Sequence, residues 1–384
     1  MIAVIADDLT GAAEIGGLGL RYDLNIEIVC SNDLKSDADL LIISTDTRSM
    51  PEKEALVATE LLTAKLSEIK PGLVFKKVDS VLRGHVLGEL AIHLQHLHLK
   101  NALLVPANPA LGRTIKNGRY FINDRPIHQT SFACDPEFSI TSPEVPDMLR
   151  VDKTAIHIRK NSDELPEHGI IVGECTTEEE ITIWIKRADE ETLLAGGAGL
   201  FKALLESLNL RRRQVQNNKS ELSYPALFVC GSTFDKSQAA IAKIKSDDGP
   251  VSYMPAEIVT LPKPSEKAFD AWADEIAALL KVHGKAIIAI HHDVAVNTAI
   301  TASGLRNKKA MVVKKVFERI AIKELLIEGG STAAAIINRL KFNRLIPVNQ
   351  LGPGVIKLKA IGRENLFLTL KPGSYEWPAE TWNF

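Results

Sequence analysis

The chain has 384 residues, of which 46 are Lys or Arg and 48 are Asp or Glu, giving a formal net charge of −2. That length is more than one ordinary hydrophobic core accommodates, so we predict two α/β domains. A charge so close to zero argues against a protein that coats nucleic acid or an anionic membrane, and any anion-binding site must therefore be local.

The cysteines and the apolar segments predict a cytoplasmic protein. Cys30, Cys134, Cys175 and Cys230 lie far apart, without the paired spacing of a zinc site or a disulfide framework. The N-terminal apolar run meets Asp7 without a basic region or a cleavage site, so we predict no signal peptide. No apolar run reaches the roughly twenty residues that a membrane helix needs.

Short apolar runs alternate along the first half with longer segments of helical period, the pattern of strand-helix units around a buried parallel sheet. We predict strands at IAVIAD, IEIVC, LLIIST, LVFKKVD and ALLVPA. The segments PEKEALVATELLTAKLSEI and VLGELAIHLQHL predict helices between them. The first half is thus predicted to be a doubly wound α/β domain.

A polar stretch at 209–224, NLRRRQVQNNKSELSY, breaks this alternation and predicts a linker between domains at 1–208 and 225–384. We interpret its three arginines as a solvated charge run rather than a nucleic-acid-binding patch, because no aromatic residues are interleaved. After it, PALFVCG, KAIIAI, ELLIEGG, VIKLKA and LFLTL predict strands again. The predicted fold class is therefore α/β, with two domains that each contain a mostly parallel sheet flanked by helices.

Polar side chains follow several strands of the first half. Ligands of an open parallel sheet bind outside the carboxyl ends of its strands, where helix N-termini also point their N–H groups. Ser80 and Arg113 stand among these strand-end residues, and the charged candidates are Asp7, Asp8, Arg48, Lys76, Lys77, Asp79 and Arg83.

Each of these residues has an ordinary structural explanation when taken alone. Asp8 or Thr10 could cap the following helix, Ser80 could cap the next one, and Lys76 or Lys77 could simply be solvated. Together, however, they predict a rim that suits a small polyhydroxylated anion. Arginine binds carboxylate or phosphate through two points, whereas aspartates accept hydroxyl protons or hold magnesium.

Glycine turns characterise the second half. LFVCGSTF and LLIEGGSTAAAII each run from a strand through glycine and hydroxyl residues into a helix, the geometry that cradles phosphate. A third glycine turn, LLAGGAGLFKALL at 193–205, lies at the end of the first half. No Walker A motif occurs, and single glycine turns are common connections. Their number, opposite a charged crevice, predicts a phosphate-bearing cosubstrate.

The histidines are interpreted as structural residues rather than as ligands. His93 and His96 are spaced as metal ligands on a helix could be, but no third ligand is apparent, so we interpret them as a solvated helix end. His291 and His292 follow a strand and are interpreted as part of a polar loop rather than as nucleotide contacts.

Several segments, in the same order, resemble the hallmark segments of the four-carbon acid sugar kinase family: IADDLTGA, KKVDSVLRG, PANPALGRTIKNGRYFIND, CGST, EGGST and PGV. The resemblance spans the chain from Asp7 to about Gly373. It implies an ATP-dependent kinase of threonate, erythronate or a related sugar acid, with an N-terminal sugar-acid-binding domain, a C-terminal nucleotide-binding domain and the active site in the cleft between them.

The resemblance also implies site residues. Asp8, Arg48 and the Lys76-Lys77-Val78-Asp79 stretch would bind the sugar acid. The residues that would bind ATP are Ser232, Gly329, Gly330, Ser331, Thr332 and Gly373. Two positions depart from the family pattern: Ser331 stands where an acidic or other polar residue is usual, and LKPGSYEWPAE carries Pro372 and Tyr375 in the usual lysine-serine-glycine-rich ending.

The implied reaction is transfer of the γ-phosphoryl group of ATP to a terminal hydroxyl, with domain closure excluding water. Mg²⁺ would bridge the phosphates with Asp7 as a ligand. Asp8 is the first choice for the base that orients or deprotonates the hydroxyl, and Asp79 the second. A homodimer is the default assembly. No nucleic-acid or membrane partner is expected.

Two other functions fit parts of the sequence. A sugar-acid lyase or isomerase could use Lys76 or Lys77 for a Schiff base or for proton abstraction, but it would leave the glycine turns without a role. A non-catalytic sugar-acid-binding protein with two domains would be expected to carry an export signal or a DNA-binding module. ATP dependence separates both from a kinase.

Overall fold

The computed structural model describes residues 1–135, 137–213, 222–231, 235–291, 301–373 and 375–384. Two compact units divide the chain, Met1–Gln214 and Val215–Phe384. In the part of the chain that the structure describes, no helix combines the length and apolar content required to cross a membrane.

The first unit is built on a parallel sheet, ordered β2-β3-β1-β4-β11-β5-β10-β9, and a small antiparallel sheet, β6-β7-β8. The central strands are buried on both faces, which explains their continuous apolar sequences. The strands are β1 (Ile2–Ala6), β2 (Ile26–Val29), β3 (Leu40–Ser44), β4 (Leu73–Lys77), β5 (Asn101–Val105), β6 (Arg113–Lys116), β7 (Arg119–Ile122), β8 (Arg125–Pro126), β9 (His157–Arg159), β10 (Gly169–Gly173) and β11 (Thr192–Gly196).

Helices flank this sheet, and local signals fix several of their ends. Asp8 caps the first helix, Lys70 ends the second in the left-handed conformation, and Thr177 forms a capping box with Glu180 at the fifth. The helices are α1 (Leu9–Gly19), α2 (Glu52–Ile69), α3 (Val86–Leu97), α4 (Val145–Met148), α5 (Glu178–Arg187) and α6 (Ala198–Ser207). The predicted strands and both predicted helices of the first half are confirmed.

The second unit has a sheet ordered β13-β14-β12-β15-β18-β17-β16. Its strands are β12 (Ala226–Cys230), β13 (Val251–Tyr253), β14 (Lys285–Ala289), β15 (Glu324–Glu328), β16 (Arg344–Gly352), β17 (Val355–Ala360) and β18 (Phe367–Lys371). Its helices are α7 (Asp235–Ser246), α8 (Ala256–Thr260), α9 (Glu266–His283), α10 (Ala302–Phe317) and α11 (Gly330–Leu340). The α/β fold with a mostly parallel sheet is confirmed in this unit too.

One strand of the second unit runs against the predicted parallel pattern. β17 is antiparallel to both β16 and β18. Only Pro353 and Gly354 separate β16 from β17, and Gly354 has a φ of +64°. A connection this short can form a hairpin but cannot cross over to a parallel strand.

The start of the predicted linker lies on the first unit. The amide of Asp23 donates to the carbonyl of Arg211 at 2.9 Å, and the amide of Arg213 donates to that of Arg21 at 3.0 Å. The Arg211 side chain is 86% exposed, in agreement with a solvated charge run.

Candidate functional site

The carboxyl ends of three neighbouring strands of the first unit gather the predicted acidic and basic residues. β1 lies between β3 and β4, and Ala6 is in register with Ser44 and Lys77. The residues that follow these strand ends therefore meet at one edge of the sheet. Asp7 and Asp8, Arg48 and Asp79 are all buried or nearly so.

Asp8 caps α1 and also faces the polar cluster. One of its carboxylate oxygens accepts the Gly11 amide at 2.8 Å, and the other accepts the Thr10 hydroxyl at 2.5 Å. A Cβ at position 11 would lie 2.6 Å from the Asp8 carboxylate, so the glycine leaves room for the cap. The DDLTG sequence thus combines the capping role and a fixed carboxylate orientation.

Arg48 binds the paired aspartates. Its Nε and Nη2 donate to the two oxygens of Asp7 at 2.8 and 2.7 Å, and Nη2 also donates to Asp8 at 2.9 Å. Its Nη1 lies 3.7 Å from Asp79. The sequence predicts that Arg48 binds the substrate carboxylate. In the structure, Arg48 instead contacts the carboxylates of Asp7, Asp8 and Asp79.

The two adjacent aspartates titrate differently. Burial pushes the pKa of Asp8 upward, but the charges of Arg48 and Lys77 outweigh it, and the Asp8 pKa lies below its usual value. Burial dominates at Asp7 and raises its pKa despite Arg48. Asp8 is therefore an anion at neutral pH and a weak proton acceptor, better suited to orient a hydroxyl than to remove its proton.

Asp79 is held in place by Arg83. The Nε and Nη2 of Arg83 donate to the two oxygens of Asp79 at 2.8 and 2.9 Å, and the amides of Val81 and Arg83 also donate to it. Although burial opposes ionisation, Arg83 and Arg48 hold the pKa of Asp79 far below its usual range. Arg83 also donates to Asp135 at 2.8 Å, a partner that the sequence analysis missed.

Lys76 and Lys77 leave β4 on opposite faces. The Lys77 ammonium donates to the Val78 carbonyl at 2.9 Å and lies 3.9 Å from Glu14, beside the start of α1. Lys76 is 1% exposed and forms an ion pair with the equally buried Glu89 of α3. Neither lysine is solvated, the alternative considered from the sequence.

His93 is also buried beside this ion pair, so its interpretation as a solvated residue is wrong. Its Nδ1 lies 2.8 Å from the Thr63 hydroxyl, and burial, assisted by the Lys76 charge, holds its pKa well below the usual value. Because α3 turns this side chain inward against α2, His93 is a neutral core residue. His96, one turn later, is partly exposed.

Replacing Glu89 by Gln should destabilise the first unit. The change leaves the Lys76 ammonium buried without a counter-charge, which typically costs about 3–5 kcal/mol. Chemical unfolding measures the loss, and Glu60→Gln on α2 is the control because Glu60 is 59% exposed. Equal stability of the two variants would show that the Lys76-Glu89 pair contributes nothing.

The hairpin β6-β7 adds contacts to the same edge. The Tyr120 hydroxyl donates to the Ser80 carbonyl at 2.5 Å, and Arg113 donates to the Ser80 hydroxyl. Ser80 is thus held by the hairpin rather than capping a helix. Arg113 was among the candidates from the sequence, but Tyr120 was not; its only sequence signal is its place within the segment that resembles the family.

The second unit brings its glycine turns to one edge as well. β12, β15 and β18 are parallel neighbours, with Cys230 in register with Glu328 and Glu328 with Lys371. The Gly329 amide donates to the Lys371 carbonyl at 2.8 Å, and α11 begins at Gly330. This edge therefore presents the N-terminus of α11 directly after a glycine turn, a geometry that favours anions.

Two glycines of this edge meet steric requirements. Gly329 has a φ of +95°, which side chains rarely adopt. A Cβ at Gly231 would lie 2.5 Å from the Glu328 carbonyl oxygen and closer still to the Thr332 hydroxyl. Ser331 and Thr332 occupy the first turn of α11, where Thr332 is buried.

Replacing Gly231 by Ala should therefore disturb this edge. We expect a loss of about 1–3 kcal/mol in unfolding free energy from overpacking. Thermal unfolding measures this loss. Gly72→Ala is the control, since its Cβ would meet nothing closer than 3.7 Å. Equal stability of the two variants would show that this edge tolerates a side chain at position 231.

Buried charges surround the turns. The Ser237 hydroxyl donates to Glu328 at 2.6 Å, and Lys371 lies 3.5 Å from the same carboxylate. The Lys371 ammonium donates to the carbonyls of Pro372 and Tyr375 at 3.1 and 2.5 Å, which fixes the chain on either side of Gly373. None of these three polar side chains, Ser237, Glu328 and Lys371, was a predicted site residue.

Some predicted positions lie outside the described residues. These are Ser232 and His292. His291 is described: it is exposed, and its ring centroid lies 5.3 Å from that of Tyr253.

The expected magnesium ligand, Asp7, is already occupied by other contacts in the structure. Both oxygens of Asp7, the expected ligand, accept hydrogen bonds from Arg48. Within the described ranges no group of three or more His, Cys, Asp or Glu residues could hold a metal ion. The polar residues described here thus do not fit a protein-held magnesium ion.

Comparison with known proteins identifies both halves. A family model described as the sugar-binding N-terminal domain matches residues 2–204, and one described as the nucleotide-binding C-terminal domain matches residues 227–375. The D-threonate kinase of Salmonella typhimurium is 26% identical over 376 residues, covering 88% of this chain and 86% of the relative. The 3-oxo-tetronate kinase of Brucella melitensis is 24% identical over 415 residues, covering 97% and 92%.

A solved structure supports the fold. Haemophilus influenzae protein HI1011 matches with a TM-score of 0.69 at 20% identity, and the match covers 97% of both chains. The matching domain models agree with the hallmark segments in the sequence. The chain belongs to the four-carbon acid sugar kinase family.

Proposed function

We propose that the chain is an ATP-dependent kinase that phosphorylates the terminal hydroxyl of a four-carbon sugar acid such as threonate or erythronate. The observation that carries this proposal is the fixed cluster of Asp7, Asp8 and Asp79 around Arg48 at the strand ends of the first unit. Carboxylates held in this way accept hydrogen bonds from hydroxyls, which a sugar acid supplies along its whole length.

In this proposal Asp8 orients the terminal hydroxyl. The transition state of phosphoryl transfer is loose, so positioning matters more than early removal of the proton. An ionised Asp8 with a lowered pKa is suited to that task. Asp79, whose two oxygens are held by Arg83, maintains the geometry of the loop after β4.

Basic groups at the same edge supply charge for the substrate carboxylate. Lys77 lies beside Asp8 with one described hydrogen bond, to the Val78 carbonyl, and Arg83 is the more exposed of the two arginines in the cluster. We assign the carboxylate to these two residues. Arg48 instead keeps the aspartates in place.

The second unit binds ATP in this proposal. The glycine turn and first residues of α11, at Gly329, Gly330, Ser331 and Thr332, would meet the phosphates through backbone N–H groups. Gly373 would contact the nucleotide from the end of β18. Mg²⁺ would neutralise phosphate charge and is carried mainly by the phosphate oxygens of ATP; we assign it no ligand in the chain.

A coupled assay of ADP release tests the function. Mg-ATP is supplied with D-threonate, L-threonate, D-erythronate or 3-oxo-tetronate, alongside a blank without acid. We expect ADP release that depends on one of these acids. Conversion of an acid without ATP would favour a lyase or isomerase instead, and binding of an acid without turnover would favour a non-catalytic binding protein.

A further inference from the structure

Lys309, a buried lysine on α10, is not among the residues of the proposed function. Lys309 is 4% exposed, and its ammonium donates to the carbonyl of Cys230 at 2.9 Å. Cys230 is the last residue of β12, directly before Gly231. The long side chain therefore carries its charge from the helix to the strand edge where the glycine turns meet.

The buried charges at this edge do not cancel. Lys309 and Lys371 are both buried there, while Glu328 is the single buried carboxylate that the structure describes at this edge. Glu328 lies 3.5 Å from Lys371. The other buried glutamate of the unit, Glu324, pairs with Lys357 at 2.9 Å at the opposite end of β15. One positive charge is left over.

That uncompensated charge belongs to Lys309. Across the described ranges, no carboxylate lies within 4.0 Å of its ammonium. Of its three N–H donors, one has a partner among the described residues, the Cys230 carbonyl. Burial of a cation without a counter-ion is costly, and its retention is explained if an anion completes the arrangement.

We propose that Lys309 is a phosphate-binding residue of the nucleotide site, with the anion of bound ATP as its missing counter-charge. The inference rests on the proposed function, because it places the phosphates at Gly231 and the N-terminus of α11. α10 packs against α11, so the lysine approaches the phosphates from beside the helix that cradles them.

The titration of Lys309 gives this role a distinct signature. Burial lowers the pKa of the ammonium to about 8, although the neighbouring Glu328 carboxylate opposes the shift, and Arg306 assists it. The pKa of the Cys230 thiol is itself raised well above its usual value by burial, so that group stays neutral. A bound phosphate would raise the lysine pKa again, and ATP binding above pH 8 would take up a proton.

Titration calorimetry with Mg-ATP, without sugar acid, tests this inference. Lys309→Met should weaken ATP binding by about 10- to 100-fold, the range for losing a hydrogen bond to a charged group. Lys308→Met is the matched control: Lys308 is also buried, but its ammonium donates to the carbonyls of Ile258 and Leu261 at 2.7 and 2.6 Å. ATP affinity of the control should be unchanged.

A second variant covers the case in which Lys309→Met does not fold. At pH 8.5, in buffers of different ionisation enthalpy, the unsubstituted chain should take up a substantial fraction of a proton for each ATP bound. Lys309→Arg should bind ATP without this uptake, because arginine stays protonated.

The outcomes separate the two claims. If the unsubstituted chain binds no ATP, the proposed function is contradicted. Normal ATP binding that is unaffected by Lys309→Met, or proton uptake that persists in Lys309→Arg, overturns the role of Lys309 alone.

Discussion

Replacing Arg48 by Met should nearly abolish activity and destabilise the first unit by about 3–5 kcal/mol, the usual cost of removing one partner from a buried ion pair. Arg48 is 11% exposed and contacts Asp7, Asp8 and Asp79. Without it, burial acts on three carboxylates that have lost their shared cation, and the hydroxyl-binding geometry is lost with it.

The pH dependence of that loss has a defined sign. The pKa of Asp8 is lowered in the folded chain, so its contribution to stability is present above the unfolded pKa and fades as the pH falls. In the Arg48→Met variant burial raises the carboxylate pKa values, and protonation then stabilises the folded state. The stability deficit should therefore shrink between pH 7.5 and pH 5, as measured by thermal unfolding.

Arg119→Met is the matched control for Arg48. Arg119 pairs with Glu144 at 3.1 Å but is 45% exposed, so its loss should cost less than about 1 kcal/mol at either pH. A deficit for Arg48→Met that is small, or that grows as the pH falls, would contradict the assignment of Arg48 as the cation that holds the aspartates.

Replacing Asp8 by Asn should lower kcat by about 10²-fold, the order of loss that follows when a reacting group is misplaced by about 1 Å. Asn caps a helix as well as Asp does, so α1 should form normally. The loss should fall on kcat rather than on KM for the acid, because the orienting charge is removed while the basic groups remain.

Steady-state kinetics with the acid and with ATP measure this effect. Asp152→Asn is the control, since Asp152 also accepts a backbone amide, that of Thr154 at 2.9 Å, but is exposed and outside the site. Normal turnover of Asp8→Asn would remove Asp8 from the mechanism. A fall in kcat that begins near neutral pH as the pH is lowered would also contradict this role of Asp8, because the Asp8 pKa lies below its usual value.

The fold was largely predictable because its strands are buried on both faces. β1, β3 and β5 of the first unit carry almost continuous apolar sequences, which mark them as strands even without neighbours. β17 was predicted as a strand, but its direction depends on the two-residue turn at Pro353-Gly354 rather than on its own composition.

The candidate site was predictable where residues directly follow strands. Asp7, Asp8, Arg48 and Asp79 come together because neighbouring parallel strands end at the same edge. Their mutual partners were less accessible to prediction. Asp135 is far from Arg83 along the chain, in a segment with no periodic pattern.

Helical residues that serve the sites were missed for a different reason. Glu89 and Lys309 were not considered, although Lys309 lies three residues before the buried Val312 and therefore on the apolar face of α10. His93 likewise lies on the buried face of its helix, α3. A charged or polar residue on an apolar helix face is the signal that could have found all three.

The most direct test of the central claim is ³¹P NMR of the reaction product formed from ATP and the preferred four-carbon acid. We predict a new phosphomonoester resonance coupled to the two protons of the terminal carbon, appearing in step with ADP. Release of inorganic phosphate alone, or a phosphate ester on another carbon, would contradict the assignment of the chain as a kinase of the terminal hydroxyl.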